Sequence, residues 1–194
     1  MDDFKEILKD AICQENIAFL EENKDKYSMN DRFEDENNDS LLLFALSDSG
    51  SNSYKFFLKN KANIDALNNE GENVIHSIVY SGRKERFQGI LNKKNINHQS
   101  NDGSTPLLLS IALEKTEIAQ YLIEKGADIN IPDNGGSTPL HLACYFGNII
   151  IVSELIMLGA NLKVKTKKGN LPLALAVNGG HDEIVKFLYN KIYQ

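Results

Sequence analysis

The sequence predicts an all-α fold in which short helix-turn-helix units stack on one another and are joined by β-hairpin-like loops. The first observation is an internal repeat: similar motifs begin at Thr105, Thr138 and Leu171 and follow one another at a fixed period. The second is that apolar stripes with helical spacing follow each motif. The third is that 42% of the 194 residues are hydrophobic, enough to build a core along the whole chain.

The repeat runs through five successive registers. In the three clearest copies, Pro-Leu follows the first residue of the motif, and these first residues lie 33 positions apart. The same frame continues upstream to Asn73, one residue short, and then to Ser40. It predicts a single domain over residues 1–194 with six approximate repeats: 1–30, 31–65, 66–97, 98–130, 131–163 and 164–194.

Residues 133–160 indicate how one unit is built. Thr138 is a suitable N-cap, and Pro139 stands at the first helical position, where the missing N–H has no intrahelical partner anyway. Gly147 is expected to break this helix, and Gly159 to stop the next one in a left-handed conformation. The positions expected to be apolar packing positions are Leu140, Ala143 and Cys144 in the first helix and Ile151, Val152, Leu155 and Ile156 in the second.

This pattern resembles the ankyrin repeat family, both in its period and in the run Thr138-Pro139-Leu140-His141-Leu142-Ala143, which matches the family signature. The resemblance covers residues 30–194 and implies an ankyrin-repeat solenoid. It further implies a non-catalytic interaction module, a scaffold, adaptor or inhibitor, that binds a protein partner through a concave face. The alternatives are a regulatory or effector subunit that supports an enzyme and a toxin-neutralising, immunity-type protein.

The resemblance places the concave face at the hairpin tips and the inner helix of each repeat. Aromatic side chains are preferred anchors at interfaces, so Tyr80, Tyr145 and Phe146 are the first choices, although Phe146 could simply pack on its neighbour. The predicted partner-binding residues are Asn69, Glu70, Asn101, Asp102, Asn134, Lys167 and Lys168 in the hairpins, with Tyr80, Leu113, Tyr145, Phe146 and Asn178 at the helix ends.

The repeat pattern weakens toward the amino end. Lys61 and Lys94 stand at or beside the glycine position, and Asn73 and Ser40 replace the capping threonine. Residues 2–25 predict two short amphipathic helices of a divergent terminal repeat, as expected where one face meets water. Their apolar residues are Phe4, Ile7, Leu8, Ala11, Ile12, Ile17, Ala18 and Leu20. At the other end, a carboxyl cap is predicted from Glu183, Lys186, Asn190, Lys191 and Gln194.

Charge is distributed unevenly. Residues 1–48 hold 14 acidic and 5 basic side chains, and the remaining residues hold 13 acidic and 16 basic ones. The acidic majority argues against nonspecific nucleic-acid binding and favours a protein partner. Two clusters are read either as solvated hairpin tips or as docking surfaces for a partner of opposite charge. They are Glu34-Asp35-Glu36 with Asp31 and Asp39, and Lys163, Lys165, Lys167 and Lys168.

We expect no catalysis, cofactor or metal. The chain has no phosphate-binding glycine loop, and its two cysteines cannot form a paired-cysteine zinc site. His141 and Cys144 lie three residues apart on one helix, but a buried cysteine is usually inert. His76 shares the position of His141, and the family resemblance implies a structural hydrogen bond there. An enzyme confined to residues 1–39 is the competing reading, although so few residues rarely enclose an active site.

Apolar stretches such as Ile149–Val152 are far shorter than a membrane span, and the acidic start lacks the features of a secretory signal. Because the chain has only two cysteines, we expect a reducing compartment, which is either the cytoplasm or a host cytosol reached without a classical signal. We also expect the chain to be a monomer. Two further hypotheses concern single residues. Asn130, together with Leu122 and Asp128, resembles the substrate site that an asparaginyl hydroxylase modifies. Ile150 is expected to be exposed.

Overall fold

Helices, turns and loops make up the described part of the chain, residues 2–34, 37–48 and 50–193, and no β-strand occurs within it. An isolated antiparallel bridge pairs Arg32 with Ser40. The computed structural model divides into an amino-terminal unit, Met1–Asn95, and a carboxy-terminal unit, Ile96–Gln194. The all-α fold class predicted from the sequence is confirmed.

The amino-terminal unit contains the less regular repeats. Helices α1 and α2 form the two predicted terminal helices and pack on each other, while α3 packs on α4 and α5. A 3-10 turn follows α5 in place of a second α-helix, and Gly89 at φ 77° turns the chain soon afterwards. The helices are α1 (Asp2–Cys13), α2 (Ile17–Glu22), α3 (Leu41–Ser47), α4 (Tyr54–Lys59) and α5 (Val74–Ser81), with 3-10 turns at Lys24–Lys26 and Lys84–Phe87.

The carboxy-terminal unit consists of three similar helix pairs. The first helices of the pairs pack side by side as an inner row, and the second helices form an outer row. The pairs are α6 (Pro106–Ala112) with α7 (Thr116–Glu124), α8 (Pro139–Tyr145) with α9 (Ile149–Met157), and α10 (Pro172–Asn178) with α11 (Asp182–Tyr193).

The helices begin where the motif predicts. Thr105 Oγ1 accepts a hydrogen bond from Leu108 N at 3.2 Å, and proline occupies the first turn of α6, α8 and α10. The substitutes at the amino end also cap: Ser40 Oγ accepts from Leu43 N, and Asn73 Oδ1 accepts from Ile75 N. Serine and asparagine are good caps because their side-chain oxygens reach the first free N–H groups of the helix.

The predicted packing positions of α8 and α9 are buried, except that Ile156 is half-buried. The terminal repeat contains the two predicted helices, but only some of their apolar residues are buried. Leu8, Ala11, Ile12 and Leu20 are buried, whereas Ile7, Ile17 and Ala18 are exposed. In this structure the first repeat has a neighbour on one side only, so part of the apolar stripe on its helices is left uncovered.

The last repeat also differs from a fully polar cap. Glu183, Lys186, Asn190 and Lys191 are exposed as expected, and Gln194 lies outside the described residues. Val177 and Tyr189 are 56% and 57% exposed, although the equivalent Cys144 is buried and Ile156 is half-buried. The difference arises because Cys144 and Ile156 lie in an inner repeat that has a neighbour on both sides.

A buried arginine closes the end of α3 in the amino-terminal unit. Arg86 is 2% exposed and donates hydrogen bonds to the carbonyl oxygens of Leu46 at 2.9 Å and of Asp48 and Ser51. Its guanidinium carbon lies 5.1 Å from the ring centre of Tyr54. The backbone around the end of α3 therefore depends on a side chain that lies far away in the sequence.

Candidate interaction surface

The hairpins before the inner helices share one hydrogen-bonding pattern. Asp133 N donates to Ser137 O at 3.0 Å, and Gly136 N donates to Asp133 O at 2.9 Å. Asp133 Oδ1 also accepts from Gly135 N and Ser137 N, so the aspartate fixes the turn from within. Equivalent backbone bonds close the hairpins that begin at Asn68, Ser100 and Thr166.

Successive tips of the carboxy-terminal unit are hydrogen-bonded to each other. Asn134 N donates to Asp102 O at 2.9 Å, and Lys167 N donates to Gly135 O at 2.8 Å. Gly136 has φ 80°, and a Cβ there would lie 2.9 Å from Lys167 N. Glycine is thus required both by the left-handed turn and by the close approach of the next tip.

Two histidines hydrogen-bond to backbone carbonyl groups of a neighbouring repeat. His141 Nδ1 accepts from Thr138 N at 3.2 Å, and its Nε2 donates to Asn170 O at 3.1 Å in the next hairpin. His181 Nε2 hydrogen-bonds to Tyr145 O at 2.9 Å. The structural hydrogen bonding expected of His141 is present, and both bonds end on residues that line a cavity.

That cavity has a volume of about 340 Å³ and lies between two hairpin tips and helices α8 and α10. It brings together Tyr145, Lys167 and Lys168, three of the residues predicted from the sequence. Leu142 and Leu175 add apolar surface to it, and both are half-buried. The complete lining is Gly135, Ser137, Leu142, Tyr145, Thr166, Lys167, Lys168, Asn170 and Leu175.

Leu142 and Leu175 were not predicted from the sequence as binding residues, although both line the cavity. A signal was present, because they lie one period apart and Leu109 is half-buried in the same register. Leucines that recur at half-buried positions on the inner helices would have indicated a partly exposed apolar stripe.

The other predicted residues that are exposed in the carboxy-terminal unit lie at the hairpin tips and at the ends of the inner helices. Asn134 Nδ2 donates to Asn101 O at 2.8 Å, and the carboxylate of Asp102 accepts from Ser100 Oγ and Ser104 N. These polar side chains are exposed and also stabilise the tips. We call the following set the tip-side surface: Asn101, Asp102, Leu113, Asn134, Tyr145, Lys167, Lys168 and Asn178, all exposed.

Phe146 is half-buried, unlike its neighbour Tyr145, which is 54% exposed. The two rings meet edge to face, with centroids 5.0 Å apart. This contact corresponds to the alternative in which Phe146 packs on its neighbour and so supports the position of Tyr145.

In the amino-terminal unit, Asn69 and Glu70 are exposed at a hairpin tip. Asn69 N donates to Asn37 O at 2.9 Å, which repeats the tip-to-tip bond. Tyr80 is 43% exposed, and its hydroxyl donates to Glu72 Oε1 at 2.7 Å. The side chain of Tyr80 is therefore held in place by a carboxylate of its own repeat.

The two charged clusters differ in how far they are paired. Glu34 accepts a hydrogen bond from Lys5 Nζ at 2.6 Å, which lowers the pKa of its carboxyl group, and Asp31 accepts from Ser28 N. Asp35 and Glu36 lie outside the described residues. The four lysines of the other cluster, Lys163, Lys165, Lys167 and Lys168, are all exposed.

The groups considered for chemistry are held in inert states. Burial raises the pKa of the Cys144 thiol to about 12, so the sulfur is protonated and a poor nucleophile at neutral pH. Burial also lowers the pKa of His141, whose two ring nitrogens are both hydrogen-bonded. Within residues 2–34, 37–48 and 50–193, no three His, Cys, Asp or Glu side chains are grouped so that they could hold a metal ion.

The two single-residue hypotheses have different outcomes. Ile150 is 54% exposed, as predicted, and Met157 and Leu158 at the end of α9 are exposed as well. Asn130 is exposed and its N–H donates to Asp128 Oδ1, whereas Leu122 is fully buried. Modification of Asn130 stays a prediction.

In the described part of the chain, no helix has the length and apolar character needed to cross a bilayer. No curated protein matches the chain. A family model described as ankyrin repeats (3 copies) matches residues 41–133, 78–166 and 132–194, which together are more than half of the sequence. Taken with the repeated helix pairs and hairpins, this match shows that the chain belongs to the ankyrin repeat family, whose members are generally non-catalytic modules for protein–protein interaction.

Proposed function

We propose that the chain is a non-catalytic binding module that holds one protein partner on the tip-side surface of its carboxy-terminal unit. The observation that carries this proposal is the cavity where Tyr145, Lys167 and Lys168 surround an apolar floor. Binding sites typically combine an apolar concavity with a few placed polar groups, and this cavity has both. The mechanism is surface complementarity without turnover.

The rigidity of the surface supports this proposal. The tips are joined by backbone hydrogen bonds, and the carbonyl oxygens of Asn170 and Tyr145 are held by His141 and His181. A surface that is ordered before binding loses little conformational entropy when a partner docks. Tyr145 adds a large amphipathic side chain with few rotatable bonds, the type of residue that often dominates binding energy.

Site-specific photo-crosslinking in the native cell tests which face is used. A benzophenone side chain is introduced at Tyr145 and, in a matched control, at Ile150, because both residues are 54% exposed and Ile150 lies on the outer helix α9. We expect a discrete protein adduct from position 145 alone, identified by mass spectrometry. Adducts from position 150 alone, or equal adducts from both positions, would place the interface elsewhere.

The adduct then permits a quantitative test with the purified partner. Tyr145→Ala should weaken binding by about 2 kcal/mol or more, a loss of roughly thirtyfold in affinity, if Tyr145 is an anchor. The mutation Ile150→Ala should leave affinity within about twofold, since Ile150 lies on the outer helix α9 and does not line the cavity. Light scattering of the free chain at two concentrations tests the expected monomer.

A further inference from the structure

The rim of the cavity carries unbalanced positive charge. Lys167 and Lys168 line it, and residues 161–170 contain four lysines and no Asp or Glu. The facing hairpin carries the carboxylate of Asp133, whose Oδ1 already accepts hydrogen bonds from Gly135 N and Ser137 N. Within the described carboxy-terminal unit, no acidic side chain lines the cavity. The rim therefore attracts anionic groups.

The floor and volume of the cavity restrict what can enter it. Leu142 and Leu175 contribute apolar surface, and the aromatic ring of Tyr145 stands at the side. A volume of about 340 Å³ is at the lower end of the range for ligand pockets, so it suits one large side chain and excludes a folded domain. Ser137, Thr166 and Asn170 supply polar groups around this opening that can meet a peptide backbone.

On the basis of the function proposed above, we infer that the partner presents an extended acidic segment, with one large apolar side chain in this cavity and flanking carboxylates on Lys167 and Lys168. An extended chain advances about 3.3 Å per residue, so residues on either side of the inserted side chain lie within reach of long lysine side chains. The apolar contact supplies affinity, and the charge pairs supply selection against basic segments.

Nucleic acid is the competing anionic partner, and the sequence disfavours it. Residues 96–194 contain no arginine, and they hold eight lysines against nine Asp and Glu residues, so they carry no excess of positive charge. Phosphate recognition commonly uses the bidentate geometry of arginine, and nonspecific nucleic-acid binding requires a net cationic surface. The apolar floor is also better suited to a hydrophobic side chain than to a phosphate.

Selection from a displayed library of random-sequence peptides tests the inference on the full chain. The wild type should enrich peptides in which Asp or Glu flanks an aromatic or large aliphatic residue. The double variant Lys167→Glu with Lys168→Glu should instead enrich Lys and Arg at the flanks. A matched control, Lys163→Glu with Lys165→Glu, makes the same charge change on the same hairpin but away from the cavity lining, and it should keep the acidic preference.

Fluorescence anisotropy with one labelled acidic peptide from the selection gives the size of the effect. The Lys167 and Lys168 double variant should lose about tenfold or more in affinity, and the control double variant less than about threefold, because exposed charges farther away are screened. The reciprocal peptide, with Lys in place of its acidic residues, should bind the Lys167 and Lys168 variant better than the wild type. That reversal also shows that the variant is folded.

Three results would overturn the inference: a selection without acidic enrichment, equal losses in both double variants, or displacement of the peptide by a single-stranded oligonucleotide at lower concentration than by unlabelled peptide. If position 145 still forms its crosslink in the cell, only the acidic specificity fails and the proposed function stands. If the crosslink is also absent, both proposals fail.

Discussion

The two units build similar helices but stabilise their ends and connections differently. In the carboxy-terminal unit, the same local features recur: proline in the first turn of each inner helix, a residue with positive φ after it (Glu114, Gly147 or Gly180) and one hydrogen-bonded hairpin per repeat. In the amino-terminal unit, side chains from distant segments take over part of this work. Arg86 binds carbonyl groups near the end of α3, and Ser51 and Ser53 both donate to Ile12 O at the end of α1.

This difference teaches that a weak repeat motif does not mean a loosely connected repeat. Ser51 and Ser53 are fully buried, and Arg86 is 2% exposed, so their hydrogen bonds are shielded from water. A buried polar group must find a partner, and losing that partner costs more than losing an exposed contact. We therefore expect the amino-terminal unit to be more sensitive to single polar substitutions, and the carboxy-terminal unit to backbone changes at its glycines.

The largest expected effect is at Arg86. The change Arg86→Met leaves several backbone carbonyl groups without their donor in a buried site and should lower the free energy of unfolding by about 3 kcal/mol. Urea unfolding followed by circular dichroism measures the loss. The control is Arg83→Met, because Arg83 is exposed and pairs with Glu85 at the surface, and this change should cost less than about 0.5 kcal/mol. Equal effects at the two positions would contradict the role assigned to Arg86.

A glycine pair tests the contact between tips in the carboxy-terminal unit. Gly136 and Gly159 have φ 80° and 86°, but only at Gly136 would an added Cβ meet the neighbouring backbone. We expect Gly159→Ala to cost about 1 kcal/mol from the conformation alone and Gly136→Ala about 3 kcal/mol, because the next tip must also move. The same urea titration compares them, and a difference below about 0.5 kcal/mol would show that the tips adapt freely.

The caps of the two units offer a comparison of smaller size. Asn73 caps α5 and also donates from Nδ2 to Asn95 O at 2.9 Å, whereas Thr105 makes a cap bond to Leu108 N. Asn73→Ala should cost about 2 kcal/mol and Thr105→Ala about 1 kcal/mol, since only the first also leaves a buried carbonyl without its donor. A larger loss at Thr105 than at Asn73 would argue against the importance of distant bonds in the amino-terminal unit.

The smallest effect concerns pH. Burial lowers the pKa of His141 below its ordinary value of 6.5, so the unfolded chain binds a proton more readily than the folded one. The stability from neutral His141 is therefore present above about pH 6.5 and is lost as the pH falls through the folded-state pKa. Urea unfolding between about pH 7.5 and 5 should show this decline, and His141→Gln should flatten it. The control His181→Gln should retain the slope, and an unchanged slope in His141→Gln would assign the decline to other groups.

Much of the fold could be predicted because its signals are local. The N-caps Ser40 and Asn73 were identified from residue type and register, and the structure confirms them. The exposure of Ile7 and Ile17 in the terminal repeat could not be predicted, since periodicity identifies an apolar face but cannot indicate how much of it a neighbour covers. The same limit applies to the last repeat, where Tyr189 remains exposed.

The candidate site was predicted only in part. Tyr145, Lys167 and Lys168 were chosen from the sequence, but nothing in their spacing indicated that they share one cavity with Leu142 and Leu175. The lysine cluster was also treated as uniform, although the cavity is lined by Lys167 and Lys168 and not by Lys163 or Lys165. Whether any of these residues binds a partner stays a prediction.

The sequence by itself determined the repeating unit, with its helix starts and turns, because a cap, a proline or a left-handed glycine acts over a few residues of chain. Only the tertiary structure decided which exposed side chains face one another and which distant groups close the helices. His141 reaches a carbonyl 29 residues away, and Arg86 reaches one 40 residues away. Such contacts depend on how whole repeats pack, and no motif within a few residues of either partner marks them.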